Sequence, residues 1–240
     1  MHKSSIAGVI LGVMLLAADA TAQRGDPGGR KPAARSKDTG WVSFDYGSQA
    51  APSPDTVTSA STSQVFLEPS TLTAVYPFTS FPQLSIGGGV RLAGNFGVGV
   101  NWTYATQSDT ASLSQKIPHP FFFNQLRSVA GTKDGLNRKE TGIHILLAWL
   151  IPAGSHVQVT VEGGPSFYQV SQDLVTALVL QDDYPHDSVT LKDATIVSQS
   201  KNATGFNAGL DIAYMVQRNV GVGASIRFTR AEMDFDVANG

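Results

Sequence analysis

Two adjacent stretches of strict alternation constrain the fold of this chain more than any other feature. In residues 83–92 and again in residues 96–104, apolar side chains recur at every second position. Because successive side chains of a strand point to opposite faces, this period of two predicts β-strands. Gly94 and Asn95 between them tolerate a positive φ and suit a tight turn. We therefore predict a hairpin with one large apolar face and one small polar face.

The faces of this hairpin favour a membrane barrel over a soluble sandwich, although a sandwich can show the same alternation. The apolar face carries Trp102 and Tyr104 toward one end, and the opposite face contains Gly87, Gly97 and Gly99. Strands of about ten residues with an apolar outer face and aromatic ends are typical of outer-membrane barrels. We therefore expect both strands to cross an outer membrane.

Residues 1–22 have the pattern of a secretory signal peptide. Lys3 gives a basic start, residues 6–16 form an apolar run too short for a transmembrane helix, and Ala20-Thr21-Ala22 offers small residues for cleavage. A buried helix is the alternative. We expect the mature chain to begin near Gln23. Since the sequence contains no cysteine, we expect neither a lipoprotein anchor nor disulfide bonds.

The remaining composition predicts one all-β domain. The formal net charge of −2 argues against a nucleic-acid partner, and no apolar run beyond residue 22 is long enough for a transmembrane helix. Residues 23–40 are rich in Gly, Pro and basic residues and have no apolar face. We expect them to form a disordered periplasmic linker, with contact to anionic lipid or peptidoglycan as the alternative. The barrel domain is predicted at residues 41–240.

Alternation recurs along the chain and predicts seven strands. They lie at residues 41–48, 83–92, 96–107, 141–151, 156–170, 202–216 and 220–229.

The connections between these strands are alternately long and short. This order predicts an antiparallel up-and-down barrel with short periplasmic turns and long external loops. In the last long connection both ends are β-prone, so they can extend the barrel outward around a tip at residues 181–188. The short connections fall near residues 94, 153 and 218, and the long ones at residues 50–80, 108–139 and 171–201.

Closure of such a barrel requires an even number of strands, and hence about eight. No further alternating strand follows residue 230. We expect either that a closing strand follows Gly240 in a longer chain or that an irregular segment closes the barrel.

Several motifs carry a resemblance to a known family. The turn-and-strand motifs GNFGVGV and RNVGVG, the loop IPHPFFFN and the strand GGPSFYQV, with the signal peptide, resemble bacterial OmpA-like and OmpW-like outer-membrane β-barrels, including uncharacterised exported members. The resemblance covers residues 41–230. It implies the barrel fold and an outer-membrane location. Such barrels include anchors, adhesins, small channels and lipid-modifying enzymes, so the resemblance does not choose among these activities.

Six ionisable side chains are predicted to face the lumen. An eight-stranded barrel has room only for its own side chains or one small ligand. We expect Asp211 about opposite Arg227, and Glu162 beside His144 or Leu146, so that the charges satisfy one another and plug the barrel. A proton-linked or ion-selective constriction is the alternative, and the inner glycines leave open a narrow cavity for a lipid tail. The predicted lumen residues are Asp45, Arg91, His144, Glu162, Asp211 and Arg227.

The opposite face is predicted to contact lipid. Its members are apolar or aromatic and alternate with the small inner residues. They include Phe96, Val98, Val100, Trp102, Tyr104, Trp149, Phe206, Tyr214 and Phe228.

The external loops contain the remaining candidate sites. Phe121, Phe122 and Phe123 should not remain in water, so we predict a lid over the barrel mouth or, alternatively, a contact with the outer leaflet. His186-Asp187-Ser188 is the best local combination for nucleophilic catalysis, but it lies at a loop tip, and we expect no catalytic residue. The nearby aspartates could bind Ca²⁺, but such loop acids are usually solvated.

These features predict a non-enzymatic outer-membrane barrel with a structural or surface-interaction role. The alternatives are a narrow pore for small apolar solutes and a lipid A-modifying enzyme. We expect a monomer without metal or cofactor. Its expected partners are outer-membrane lipid and lipopolysaccharide, with peptidoglycan or surface ligands reached through the linker and loops.

Overall fold

The computed structural model describes residues 3–18, 40–50, 56–77, 79–217 and 220–234. These residues form ten β-strands, and none of them lies in a helix that could span a membrane. The strands are β1 (Lys3–Ala18), β2 (Gly40–Gln49), β3 (Thr56–Val65), β4 (Glu68–Pro77), β5 (Phe81–Ala93), β6 (Phe96–Pro118), β7 (Leu126–Pro152), β8 (Val157–Gln181), β9 (Thr190–Gln217) and β10 (Val220–Asp234).

Within the described ranges, seven of these strands form one curled antiparallel sheet. Its order is β2-β5-β6-β7-β8-β9-β10, with each strand paired to the next. This confirms the predicted all-β, up-and-down barrel arrangement. The predicted turn between β5 and β6 contains Gly94 at a φ of 57°, and residues 153–156 connect β7 to β8. The third predicted short turn, near residue 218, lies outside the described residues.

β1 lies between the two edges of this sheet. It pairs antiparallel with β10 from Lys3↔Asp234 to Ala17↔Val220 and with β2 from Ile10↔Gln49 to Ala18↔Trp41. The eight-stranded circuit is therefore closed by the segment whose sequence predicts a signal peptide. Removal of that segment leaves the edges of β2 and β10 without these partners. The predicted cleavage site and the linker up to residue 39 lie outside the described residues.

Three hairpins continue beyond the barrel on the side away from the short turns. We call residues 56–77, 105–140 and 169–204 the extension. The prediction of a loop at residues 108–139 was wrong, because β6 and β7 continue to a short tip. The proline-containing region before β5 includes a β3–β4 hairpin, and β4 pairs with β6. The outward continuation predicted at residues 171–201 is confirmed by β8 and β9.

The strands reverse their polarity where the barrel passes into the extension. On β6, Trp102 is exposed on the outside while Thr103 is buried inside. Farther along the same strand, Thr106 and Ser108 are exposed and Leu113 is buried. The barrel therefore has an apolar exterior and a polar lumen, whereas the extension has a polar exterior and an apolar interior.

The apolar interior of the extension lies between the β4–β6–β7 sheet and the β8–β9 hairpin. Tyr76 on β4 joins the two layers, since its hydroxyl oxygen accepts a hydrogen bond of 2.8 Å from the Val175 backbone N–H. The pairing of β8 with β9 shifts by one residue immediately after Val175. The main buried cluster consists of Leu72, Ala74, Tyr76, Ala111, Leu113, Leu136, Leu174, Val175 and Ala194.

The nine predicted lipid-facing residues all lie on the outer face of the barrel. Eight of them are exposed, and Val98 is half-buried. Phe96 stacks on Trp149 at the end near the short turns, with ring centroids 6.0 Å apart. Trp102 stacks on Tyr104 at the same distance near the extension. Aromatic pairs therefore lie at both ends of the apolar band.

Candidate functional site: the lumen and the strand tips

The end of the lumen near the short turns is filled by Trp41. Its ring lies over Gly89 and Gly97, where a Cβ atom would overlap it, and it packs against buried Ala213. Trp41 was not among the predicted lumen residues. It lies four residues before Asp45 on the same strand, so the period of two already places it on the inner face.

A buried ion pair occupies the middle of the lumen. Arg227 Nη2 donates to Glu162 Oε1, and both side chains are buried. Gly209 lies directly opposite both residues, between them in the sheet. A Cβ atom there would come within 3.1 Å of Glu162, so the glycine provides the space in which the pair forms.

Two further carboxylates surround this pair. Asp45 and Asp211 are buried, and both interact electrostatically with Arg227. Three carboxylates therefore share one guanidinium in the described part of this layer. Because isolated buried charges are costly, Arg227 is the central stabilising group of the lumen.

The register places two of the predicted pairs differently from the sequence expectation. Glu162 lies opposite Ala148 rather than beside His144, and Asp211 lies opposite Ser225, diagonal to Arg227. The connection from β7 to β8 contains four residues, and the partner Ala148 lies two positions after Leu146 and four after His144, so Glu162 stays on its predicted face. The prediction of Glu162 beside His144 or Leu146 was therefore wrong.

Arg91 stands apart from this cluster. It is half-buried, lies opposite Gly97 on β6, and its Nε atom is buried without a hydrogen-bond partner among the described residues. No ion pair of this side chain is observed within those residues. The expectation that the lumen charges satisfy one another is therefore not met for Arg91 in the described part of the lumen.

Hydroxyl and amide groups connect the acidic cluster to the wall. The Ser85 hydroxyl lies 3.4 Å from Asp45 Oδ2, and Asn101 Nδ2 donates to Ser85 Oγ at 2.8 Å. On the other side, the Ser225 hydroxyl lies 3.5 Å from Asp45 Oδ1. These contacts link Asp45 to β5 on one side and to β10 on the other, although some inner polar atoms, among them Arg227 Nε, have no hydrogen-bond partner among the described residues.

His144 forms a second polar group closer to the extension. Its ring nitrogens lie 3.2 Å from Thr103 Oγ1 and 2.8 Å from Ser166 Oγ, and Asn207 Nδ2 donates to the same serine at 2.9 Å. Tyr168 packs edge-on against the imidazole at 5.3 Å. Although serine beside histidine can act as a nucleophile and base, both side chains are at most 1% exposed. This arrangement fills the lumen and offers no access to a substrate.

A third polar group lies where the polarity of the strands reverses. Arg138 donates to Glu140 at 2.6 Å and to Gln172 at 2.7 Å, and Gln49 donates to the same glutamate at 3.3 Å. All four side chains are buried. Together they separate the polar lumen from the apolar interior of the extension. Sequence reasoning missed them because Arg138 and Gln172 were assigned to long connections, and Gln49 and Glu140 lie just outside the predicted strands.

The far ends of the three hairpins meet in a compact group that we call the crown (residues 64–70, 117–127 and 181–189). Arg127 is its centre: the guanidinium donates to Asp182 at 2.6 Å, to the His186 carbonyl at 2.9 Å and to the Pro118 carbonyl at 3.1 Å. It is only 7% exposed. These bonds join the tip of β6–β7 to the tip of β8–β9.

The three adjacent phenylalanines lie in the crown, far from the barrel mouth. Phe121, Phe122 and Phe123 are 66%, 58% and 75% exposed, so they do not form the predicted lid. Phe121 packs against His119 and His186 at ring-centroid distances of 6.1 and 5.5 Å, and Phe122 packs against His119 at 4.8 Å. The alternative, a contact with the outer leaflet, stays a prediction.

The His186-Asp187-Ser188 segment does not assemble as a catalytic group. His186 Nδ1 lies 3.0 Å from Asp182, not from Asp187, whose carboxylate lies 4.0 Å from His119 instead. Asp182 accepts from Arg127, and this bond is the main cause that holds the pKa of its carboxyl below the ordinary value of 3.8. Slight burial opposes the effect, and the contact with His186 adds to it. The segment therefore serves to join the tips.

A cleft of about 690 Å³ opens on one side of the extension between β7 and β9. It is lined by residues 128–134 and 189–194, and Lys133 pairs with Asp193 across it at 2.7 Å. Its position shows that this space lies outside the lumen and does not provide the predicted lipid-tail cavity.

Taken together, these layers define a class of protein: an antiparallel barrel whose described inner face is polar, with an extension that ends in an apolar crown. The chain matches no protein-family model, no curated protein and no solved structure. The resemblance to OmpA-like and OmpW-like barrels therefore remains a prediction, and function must be inferred from the geometry of this chain.

Proposed function

We propose that this chain is an outer-membrane β-barrel with a structural, surface-interaction role, which holds the extension and crown outside the cell. The single observation that supports it best is the reversal of polarity along the strands. Apolar residues on the outside with polar residues on the inside suit lipid, and the opposite arrangement suits water. One strand, β6, carries both arrangements in succession.

The height of the apolar exterior supports a membrane-spanning position. On β6 the outer apolar residues run from Phe96 to Tyr104. At ~3.4 Å per residue and a tilt of about 40°, this stretch covers roughly 20 Å along the barrel axis, close to the ~25 Å band of known transmembrane barrels. The aromatic pairs at its two ends match the girdles found at lipid–water interfaces.

The filled lumen favours a closed scaffold over the pore alternative. Trp41, the Arg227 cluster, the His144 group and the Arg138 group occupy successive levels of the interior. Among the side chains that the structure describes, such a series leaves neither a wide aqueous path nor an apolar conduit. We accordingly propose no transport or catalytic activity, and we place binding at the external surface, with lipopolysaccharide and other outer-membrane lipids around the barrel.

The proposal is tested by introducing a single arginine at either of two positions on the outer face of β6. Val100 lies within the apolar band, and Ser108 lies on the same face eight positions further along, in the extension. In a bilayer, Val100→Arg should lower the yield of protease-resistant, inserted barrel, because a lipid-facing arginine costs about 2–4 kcal/mol near the midplane. Ser108→Arg should insert like the unmodified chain. Equal insertion of both variants would contradict a membrane position for the band.

A conductance measurement separates the closed scaffold from a pore. The purified chain, inserted into planar bilayers, should give no large, stable ohmic current. A reproducible current of that kind would replace the scaffold proposal with the pore. Insertion of each sample is verified independently by protease resistance, so a silent bilayer is not mistaken for a closed barrel.

A further inference from the structure

The crown exposes an unusual concentration of large apolar side chains. They come from the three hairpin tips, and each is between 51% and 86% exposed. At ~150–250 Å² per aromatic side chain, they present several hundred Å², the size at which an apolar patch marks an interaction site. The residues are Phe66, Leu67, Phe121, Phe122, Phe123, Leu126 and Tyr184.

This apolar surface is preformed. The Asn124 backbone N–H donates to Glu68 at 2.8 Å and joins the β3–β4 tip to the β6–β7 tip. Arg127 joins the latter to the β8–β9 tip through Asp182, and Phe121 packs edge-on against His186 at 5.5 Å. Because the tips are fixed to one another, a partner that binds them loses little free energy to ordering the surface.

The charge beside the apolar surface is acidic. The crown, all of whose residues are described, contains the carboxylates of Glu68, Asp182, Asp183 and Asp187 and one guanidinium, that of Arg127. Four negative groups and one positive group give a formal charge of −3, with histidine neutral. Arg127 is buried against Asp182, so the charges that remain exposed are negative.

We propose that the crown binds a cationic amphipathic segment of a partner protein, one in which apolar side chains occur together with lysine or arginine. The apolar side chains of the partner would cover the phenylalanines, and its cations would lie against Asp183 and Asp187. This inference rests on the proposed function, because insertion of the barrel is what directs the crown away from the membrane. A bilayer is the less suitable occupant, since surface-binding segments that attach to anionic lipid carry exposed lysine or arginine, which the crown lacks.

The test uses the full chain in phosphatidylcholine nanodiscs and a short fluorescent peptide that alternates leucine and lysine. Matched peptides alternate leucine with glutamate or serine with lysine, and empty nanodiscs give the background. The leucine–lysine peptide should bind about tenfold or more tightly than either matched peptide. The triple variant F121S/F122S/F123S should lose about tenfold or more in affinity, and D183N/D187N should weaken binding and reduce its salt dependence.

A second triple variant controls for a general loss of exposed apolar surface. Val179, Ile196 and Val197 are 48%, 36% and 44% exposed on the extension, outside the crown. V179S/I196S/V197S should bind the peptide like the unmodified chain. Unchanged affinity of F121S/F122S/F123S, or equal binding of the leucine–glutamate peptide, would overturn the proposal.

Two additional measurements show whether a negative result contradicts the proposed function or only the binding of a protein segment by the crown. Capture of added phosphatidylcholine or phosphatidylglycerol vesicles by the nanodiscs, dependent on the three phenylalanines, would make a bilayer the occupant and overturn the protein-segment proposal. Protease resistance of the inserted barrel is measured on the same samples. Failed insertion contradicts the proposed function and this inference together, whereas normal insertion without peptide binding contradicts this inference alone.

Discussion

Glu162 on β8 and Arg227 on β10 form an ion pair above Gly209, the residue of β9 that lies between them. The two charged residues are thus not on adjacent strands. Their side chains meet because the intervening position has no Cβ atom. This relationship joins three strands of the barrel wall through one buried contact in the lumen.

The surplus of carboxylates around Arg227 predicts an asymmetry between its two charge-removing variants. Arg227→Met leaves three buried carboxylates without their cation, and we expect a loss of about 3–5 kcal/mol in unfolding free energy. Glu162→Gln leaves Arg227 with Asp45 and Asp211, so its cost should be smaller. Urea unfolding of each variant in phospholipid vesicles, followed by tryptophan fluorescence, measures the difference. An equal loss of unfolding free energy in the two variants would show that Asp45 and Asp211 do not depend on Arg227.

The space above Gly209 predicts a specific sensitivity to side-chain size. Gly209→Val should displace Glu162 from Arg227 and destabilise the barrel by about 1–3 kcal/mol, the usual range for overpacking. Ala208→Val is the matched control, because Ala208 is the neighbouring residue and is exposed on the outer face. The same unfolding measurement applies. If Ala208→Val lowers the unfolding free energy as much as Gly209→Val does, the effect comes from strand propensity and not from the ion pair.

The hydrogen bond between Tyr76 and Val175 predicts a local change in amide exchange. Tyr76→Phe removes the acceptor and leaves the Val175 N–H buried without a partner, which costs about 1–3 kcal/mol. The amide of Val175 and its neighbours on β8 should therefore exchange faster with deuterium, while amides in the barrel remain unchanged. Tyr184→Phe, at an 85% exposed position of the crown, is the control. Unchanged exchange at Val175 would contradict the bond.

The bond between Arg127 and Asp182 predicts a loosening of the crown in acid. The pKa of Asp182 lies below its ordinary value of 3.8 in the folded chain, chiefly because Arg127 donates to the carboxylate. Its stabilisation is therefore fully present above pH ~4 and is lost as the pH falls through the depressed folded value. Amide exchange in residues 181–189 should accelerate on acidification, after correction for the intrinsic pH dependence of exchange.

Asp182→Asn provides the control for this pH dependence. The variant should show the faster exchange already at neutral pH and little further change in acid. If the unmodified chain and Asp182→Asn respond identically to acid, the carboxylate of Asp182 is not the titrating group that holds the tips together.

The barrel was predictable from the sequence because its two faces differ strongly. Trp102 and Phe206 on the outside, with Asp45 and Asp211 on the inside, repeat with a period of two that defines the face of every neighbour. The exact cross-strand partners were less predictable, because the connection before β8 contains four residues and Glu162 lies opposite Ala148, two positions after the nearer predicted partner, Leu146. A shift of an even number changes the neighbour but preserves the face.

The extension and the crown were harder to predict for a different physical reason. In Ala111–Ser114, alanine and leucine alternate with serine over only four residues and without a β-branched or aromatic side chain, which gives a weak strand signal. The bond from Arg127 to Asp182 joins residues 55 positions apart and depends on how the hairpins pack, which no local pattern contains. The strand at residues 3–18 was not predicted, because the composition of this segment equally suits a signal peptide.

In the membrane position that we propose, the reversal of polarity along β6 would place one continuous strand in two different solvents. Its first half would then separate lipid from a polar interior, while its second half separates water from an apolar one. Urea weakens the second kind of burial directly, while the first depends on the surrounding bilayer or detergent. The two halves of the molecule can therefore lose order separately, although no break in the backbone divides them.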